Sequence, residues 1–158
     1  GLANGRDSIG FGQPVMNNSG QVAFTHFNAP NGITHEVVLA DPNGTITTLA
    51  STADGFVDVS VTSPPRINDA GDLAYRATAS GTGDGIWVRH HDNGPFRLAS
   101  RTAPAPGVDG LTFGSMGDPL INSVGRVAFA AYLKGPSVSL PTGLFSIWSP
   151  MAVRRAMY

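Results

Sequence analysis

Short stretches in which apolar and polar residues alternate run through this sequence, and glycine or proline interrupts nearly all of them. On an extended strand Val22 and Phe24 fall on one face and Ala23 and Thr25 on the other. Leu73 and Tyr75 against Ala74, then Val127 and Phe129 against Ala128, repeat that division of a bulky from a small face. A strand of this kind suits a sheet covered on both sides, with the small side where a neighbouring sheet comes close. Apolar-rich β-forming segments at 36–40, 86–90 and 144–148 predict a second set of strands, with Trp87 and Phe145 at matching places. Asn43-Gly44 and Asn93-Gly94 then predict two-residue hairpins leading into strands at 46–50 and 96–99. No apolar pattern of helical period is sustained for more than a turn.

The pattern is a repeat. Residues 17–24 read NNSGQVAF, 68–75 read NDAGDLAY and 122–129 read NSVGRVAF, with the leading asparagines 51 and 54 residues apart. Pro14, Pro65 and Pro119 each stand three residues before that Asn, Met16, Ile67 and Ile121 stand directly before it, and Phe11, Phe56 and Phe113 lie further upstream. Asn17, Asn68 and Asn122, each followed three residues later by Gly20, Gly71 or Gly125, predict a tight turn. The Asn side chain bonds the backbone ahead of it, and Gly takes the positive φ that other residues resist. With a short strand before the motif, each copy holds four strands, the number in a propeller blade. The expected fold is all-β: β-propeller blades, about three four-stranded antiparallel repeats in a single array over 1–158. Repeat 1 is placed at 11–51, repeat 2 at 56–100 and repeat 3 at 113–158, whose last strand is expected near AVRRAMY.

Composition narrows the function. Gly (20) and Pro (12) are abundant in the 158 residues, and charged residues make up only 13%. A formal net charge of −1 leaves no basic field for phosphates, so nucleic acid is not an expected partner. The acidic residues are Asp except for Glu36, which suits turns rather than helices. The sequence has no cysteine, which removes disulfides, thiolate catalysis and cysteine-ligated metals. No apolar stretch is long enough to span a bilayer as a helix, and residues 1–10 have no apolar signal-like core, so any export signal is expected to be gone already.

The three octapeptides with their proline and aromatic flanks resemble the tandem NxxGxxAF repeat of exported bacterial proteins, over nearly the whole chain. Tyr75 departs from the motif only by exchanging one aromatic for another. The resemblance implies a secreted, extracellular or cell-envelope setting, a propeller-like array and no enzyme. It supplies no catalytic residues and no cofactor.

Candidate chemistry is sparse. His26, His35, His90 and His91 lack the spacing of a metal site, and the last pair, adjacent on a predicted strand, would point to opposite faces. They are read as exposed strand-end residues. Asp41-Pro42-Asn43-Gly44 lacks the alternating acidic ligands of a calcium loop, and 81–85, GTGDG, lacks the Lys and following helix of a phosphate loop. The candidate binding residues are therefore aromatic: Trp87, Trp148, Tyr132 and Phe27, which would stack on a sugar or a protein at a blade edge and otherwise fill the space between blades. Arg89, Arg97, Arg154 and Arg155, near the third and fourth strands, are read as a solvated strand face, with a polar contact surface as the alternative. The expected function is a non-enzymatic extracellular module that binds a protein or glycan through assembled blades. The alternatives are a self-assembling surface-layer or filament protein and a fragment of a polysaccharide-active enzyme. Because about three blades leave two end sheets uncovered, the chain is expected to associate with itself, most simply as a dimer closing a six-bladed ring, with a longer stacked array, or a longer parent chain that supplies the other blades, as the alternatives.

Overall fold

The computed structural model describes residues 8–28, 34–59, 63–135 and 143–148, with the side chains of residues 8, 9, 28 and 143–148 outside that description. The expected last strand of repeat 3, Arg154 and Arg155 also lie outside the described residues. Fourteen strands form three antiparallel sheets, and no α-helix occurs among the described residues. The first sheet contains β1 (Ser8–Phe11), β2 (Val15–Met16), β3 (Val22–Asn28), β4 (Thr34–Ala40) and β5 (Ile46–Ser51). The second contains β6 (Phe56–Val59), β7 (Arg66–Ile67), β8 (Leu73–Ala79), β9 (Gly83–Arg89) and β10 (Phe96–Ser100). The third contains β11 (Thr112–Met116), β12 (Leu120–Ile121), β13 (Val127–Lys134) and β14 (Gly143–Trp148).

All three sheets follow one plan. A long strand directly after the NxxG turn, β3, β8 or β13, pairs along one edge with the following strand, β4, β9 or β14, and in the first two sheets β5 or β10 then forms the outer strand. The other edge is shared by two short pieces, β1 with β2, β6 with β7, and β11 with β12. Pro14, Pro65 and Pro119 directly precede the second piece in each pair, where a residue without an N–H interrupts pairing at little cost. The pieces before the prolines were not foreseen as strands. They carry the upstream aromatics at unequal places: Phe56 pairs with Ala79 and Phe113 with Leu133, eleven residues after the motif Asn, whereas Phe11 pairs with His26, nine residues after it.

The sheets pack small face to bulky face. Ala23, Val37 and Leu39 of the first sheet meet Leu73, Tyr75 and Ala77 of the second, all at most 2% exposed. On the reverse of the second sheet Ala74, Ile86 and Val88 meet Phe113, Val127 and Phe129 of the third. Side-chain alternation along β8 thus feeds two cores, and the small residue lets the next sheet approach.

Three local expectations need correction. Asn43-Gly44 and Asn93-Gly94 do not form two-residue turns with positive φ at both positions. Gly44 alone is left-handed (φ +88) in a loop closed by Asp41 N–H to Thr45 O, and Gly94 is not left-handed at all. Trp87 pairs with Tyr75, while Phe145 pairs with Ala130, one place further along the motif strand, so the two aromatics do not stand at matching places. His26 is buried, at 1% exposed, with Nδ1 3.2 Å from Glu36 Oε2.

Candidate functional site

The three NxxG turns are built alike. The backbone N–H of Asn17, Asn68 and Asn122 donates to the carbonyl four residues on, at 3.1, 3.0 and 3.0 Å, and the Gly N–H donates back to the Asn carbonyl. Each Asn Oδ1 accepts the N–H of the residue after the glycine, at 2.9, 2.9 and 2.8 Å. Gly20, Gly71 and Gly125 have φ of +79°, +84° and +74°, the geometry the motif predicts.

The remaining half of the Asn17 and Asn68 amides links each of these turns to the next. Asn17 Nδ2 donates to Asn68 O at 2.9 Å, and Asn68 Nδ2 donates to Asn122 O at 3.0 Å. Side chains reinforce the first joint: Asn18 donates to both Asp69 carboxylate oxygens, at 2.9 and 2.8 Å, and its backbone N–H, followed by its side chain, holds that carboxyl below the usual range. The residue after each glycine then covers the next turn, with Gln21 over Gly71 and Asp72 over Gly125. Sequence reasoning placed these asparagines in turns and missed the ladder. Its signal was the near-constant 51- and 54-residue spacing, which brings like amides into line across adjacent sheets.

The densest polar cluster lies at the second joint. Asp72 Oδ2 accepts from Asn68 Nδ2 at 3.0 Å, and Oδ1 accepts the His91 N–H at 3.1 Å. His90 Nδ1 and His91 Nδ1 approach the same Oδ1 at 3.2 and 3.0 Å. The two rings converge because β9 ends at Arg89; His90 and His91 belong to the following turn, where strand alternation no longer applies. Burial pushes the Asp72 carboxyl up, but the bonds from His91, Asn68 and His90 outweigh it and hold the group down at about 2. The Asp72 bond pushes the exposed His91 up in turn. A carboxylate this acidic, with both oxygens occupied, anchors a turn and is a poor proton acceptor near neutrality.

The four candidate binding aromatics do not form one platform. Trp87 is partly buried between the first two sheets, with Nε1 donating to Ala77 O at 3.2 Å and Phe56 edge-on at 4.9 Å. Phe27 packs edge-on against His35 at 5.1 Å. Tyr132 is 49% exposed, on the outward face of β13. Trp148 pairs with Val127 at the opposite end of that sheet from Tyr132, and its side chain lies outside the described residues. Among the described residues no group of three or more His, Asp or Glu side chains is arranged to hold a metal ion, and no described helix is long and apolar enough to cross a membrane. No curated protein and no solved structure matches the chain. A family profile matches residues 7–154, nearly the full length, and on that ground the chain belongs to DUF7453, a family of unknown function.

Proposed function

We propose that this chain is a non-enzymatic repeat module of the propeller type, exported to the cell surface or envelope, that binds a protein or glycan through assembled blades. The observation carrying the proposal is that three sheets of one plan are linked through equivalent turns by the same asparagine amide bond. Such an array is a scaffold whose binding residues lie on loops and edges. The exposed aromatic Tyr132 suits contact with an apolar sugar face or a protein side chain. The polar groups gathered at Asp72 serve the joint and leave no poised acid, base or nucleophile there.

Glycan-array screening and pull-down with the soluble chain test this reading. Saturable binding weakened by Tyr132→Ala supports it. Turnover of polysaccharide substrates abolished by changing Asp72 or His91 would replace it with the enzyme reading.

A further inference from the structure

The two ends of the array are complementary to each other, and each lacks what the internal joints supply. We propose that the Asn122 end of one chain docks head to tail on the Asn17 end of a second copy, remaking between chains the joint that links sheets within one. This deepens, and rests on, the reading of the chain as an associating array of like blades.

Burial carries the inference. Each joint has a donating side and an accepting side, and equivalent residues on each side can be compared across the three copies. On the donating side, Asn17 and Asn68 are 7% and 6% exposed, but Asn122 is exposed and its Nδ2 has no partner among the described residues. Two residues earlier, Val15 packs into the first joint and Arg66 is half-buried, while Leu120 is 59% exposed.

On the accepting side the order reverses. Pro65 and Pro119 are buried but Pro14 is exposed; Ile67 and Ile121 pack into the two cores but Met16 is 71% exposed. Gly71 and Gly125 are covered by Gln21 and Asp72, whereas only Pro42 of its own sheet approaches Gly20. The carbonyls of Asn68 and Asn122 each accept two bonds, and that of Asn17 accepts only the Gly20 N–H among the described residues.

Every gap at one end thus has its filler at the other. Asn122 Nδ2 meets the Asn17 carbonyl, Leu120 meets Met16 and Pro14, and Arg126, which follows Gly125 as Gln21 follows Gly20, covers Gly20. Sheet faces agree with the turns. The outward face of the third sheet carries the small residues Ala128 and Ala130, with Tyr132 and Lys134 towards the far end of β13, and that of the first carries the bulky Val22 and Phe24. Small against bulky is the pairing at both internal joints. An interface of this head-to-tail kind closes into a ring or extends as a filament.

Sedimentation velocity over a wide range of chain concentration tests the proposal with four proteins. Asn122→Asp keeps an Oδ1 for the turn N–H groups of Val124 and Arg126, deletes the ladder donor and turns a negative charge toward a carbonyl. Asn93→Asp makes the same amide-to-carboxylate change in an exposed hairpin of the middle sheet, which belongs to neither end. The expected result is a wild-type chain that associates, an Asn122→Asp variant with an unchanged melting temperature at concentrations where both are monomeric but a dissociation constant raised roughly tenfold or more, and an Asn93→Asp variant like wild type. Leu120→Ser, at an exposed position, is expected to weaken association in the same direction. Association that Asn122→Asp and Leu120→Ser leave unchanged, or that Asn93→Asp weakens equally, overturns the joint and leaves the array reading standing. A wild-type chain that remains monomeric at every concentration overturns both.

Discussion

Gly71→Val places a branched side chain where the second turn is tightest. At φ +84° an L residue pays left-handed strain of roughly 1–2 kcal/mol, and β-branching adds to it. The new Cβ would also lie 2.8 Å from Gln21 Oε1. That oxygen accepts from Asn17 Nδ2 at 2.9 Å, and Gln21 Nε2 donates to Asp41 at 2.7 Å, so displacing Gln21 puts two bonds at risk, each worth about 1 kcal/mol. The combined cost is about 3 kcal/mol, a fall in melting temperature of roughly 6–12 °C for a domain of this size. His90→Ala loses one bond to Asp72 and a stacked contact with Phe96 at 5.9 Å, about 1 kcal/mol together and roughly 2–4 °C. Thermal melts of the two variants beside wild type decide the matter. Equal melting temperatures would mean that neither the positive φ nor the Gln21 wall governs this turn.

Asn68→Asp is expected to destabilise by about 2–3 kcal/mol in urea titrations, because it deletes the bond to Asn122 O and sets a second carboxylate 3.0 Å from Asp72. Tyr75→Phe should be neutral or slightly stabilising, since the phenol is 1% exposed, its oxygen has no partner among the described residues, and burial holds its ionisation well above the usual range; a loss of more than about 1 kcal/mol would refute this. Asp72, depressed from 3.8 to about 2, contributes stability that is complete above pH 3.8 and is lost as pH falls through 2, about 2 kcal/mol in all. Asp72→Asn should remove that acid limb from stability measured against pH. His91 is raised, so its contribution is complete below its ordinary 6.5 and is lost as pH rises through the folded value; His91→Ala should flatten stability above pH 6.5.

How much of this was legible in the sequence depends on the range of the interaction. Turn chemistry is local, so Gly20, Gly71 and Gly125 could be placed at positive φ from the motif alone. Side-chain alternation is local too, and it marked Ala23 and Ala74 as the faces that admit the next sheet. Position across sheets was not legible. Whether Phe145 matched Trp87 depended on the register of β14 on β13 against that of β9 on β8, and the two differ by one place. The convergence of His90 and His91 on Asp72 required knowing that β9 stops at Arg89. The ladder was hidden for another reason: an Asn has a carbonyl and an amide, and the turn explains only the first.

That second half of the amide also sets how strongly copies should associate. Within the chain the joints close at the high effective concentration of linked segments, of millimolar order. The same contacts between chains must first offset lost translational and rotational freedom, a cost of at least several kcal/mol. One intermolecular joint is therefore weak alone, and an open filament, gaining one joint per added chain, would grow gradually with concentration. Two three-sheet chains that close on each other gain a second joint for the same loss of freedom, and six sheets fall within the usual range of about four to eight blades. Closure predicts one discrete species of twice 16.4 kDa that saturates as concentration rises and does not grow further. In it, Asn122→Asp acts at both joints at once, so the mixed assembly with wild type should lie midway between the two parents in free energy. Sedimentation of the mixture reads this directly, and a mixed species no weaker than wild type would show that the two joints are not equivalent.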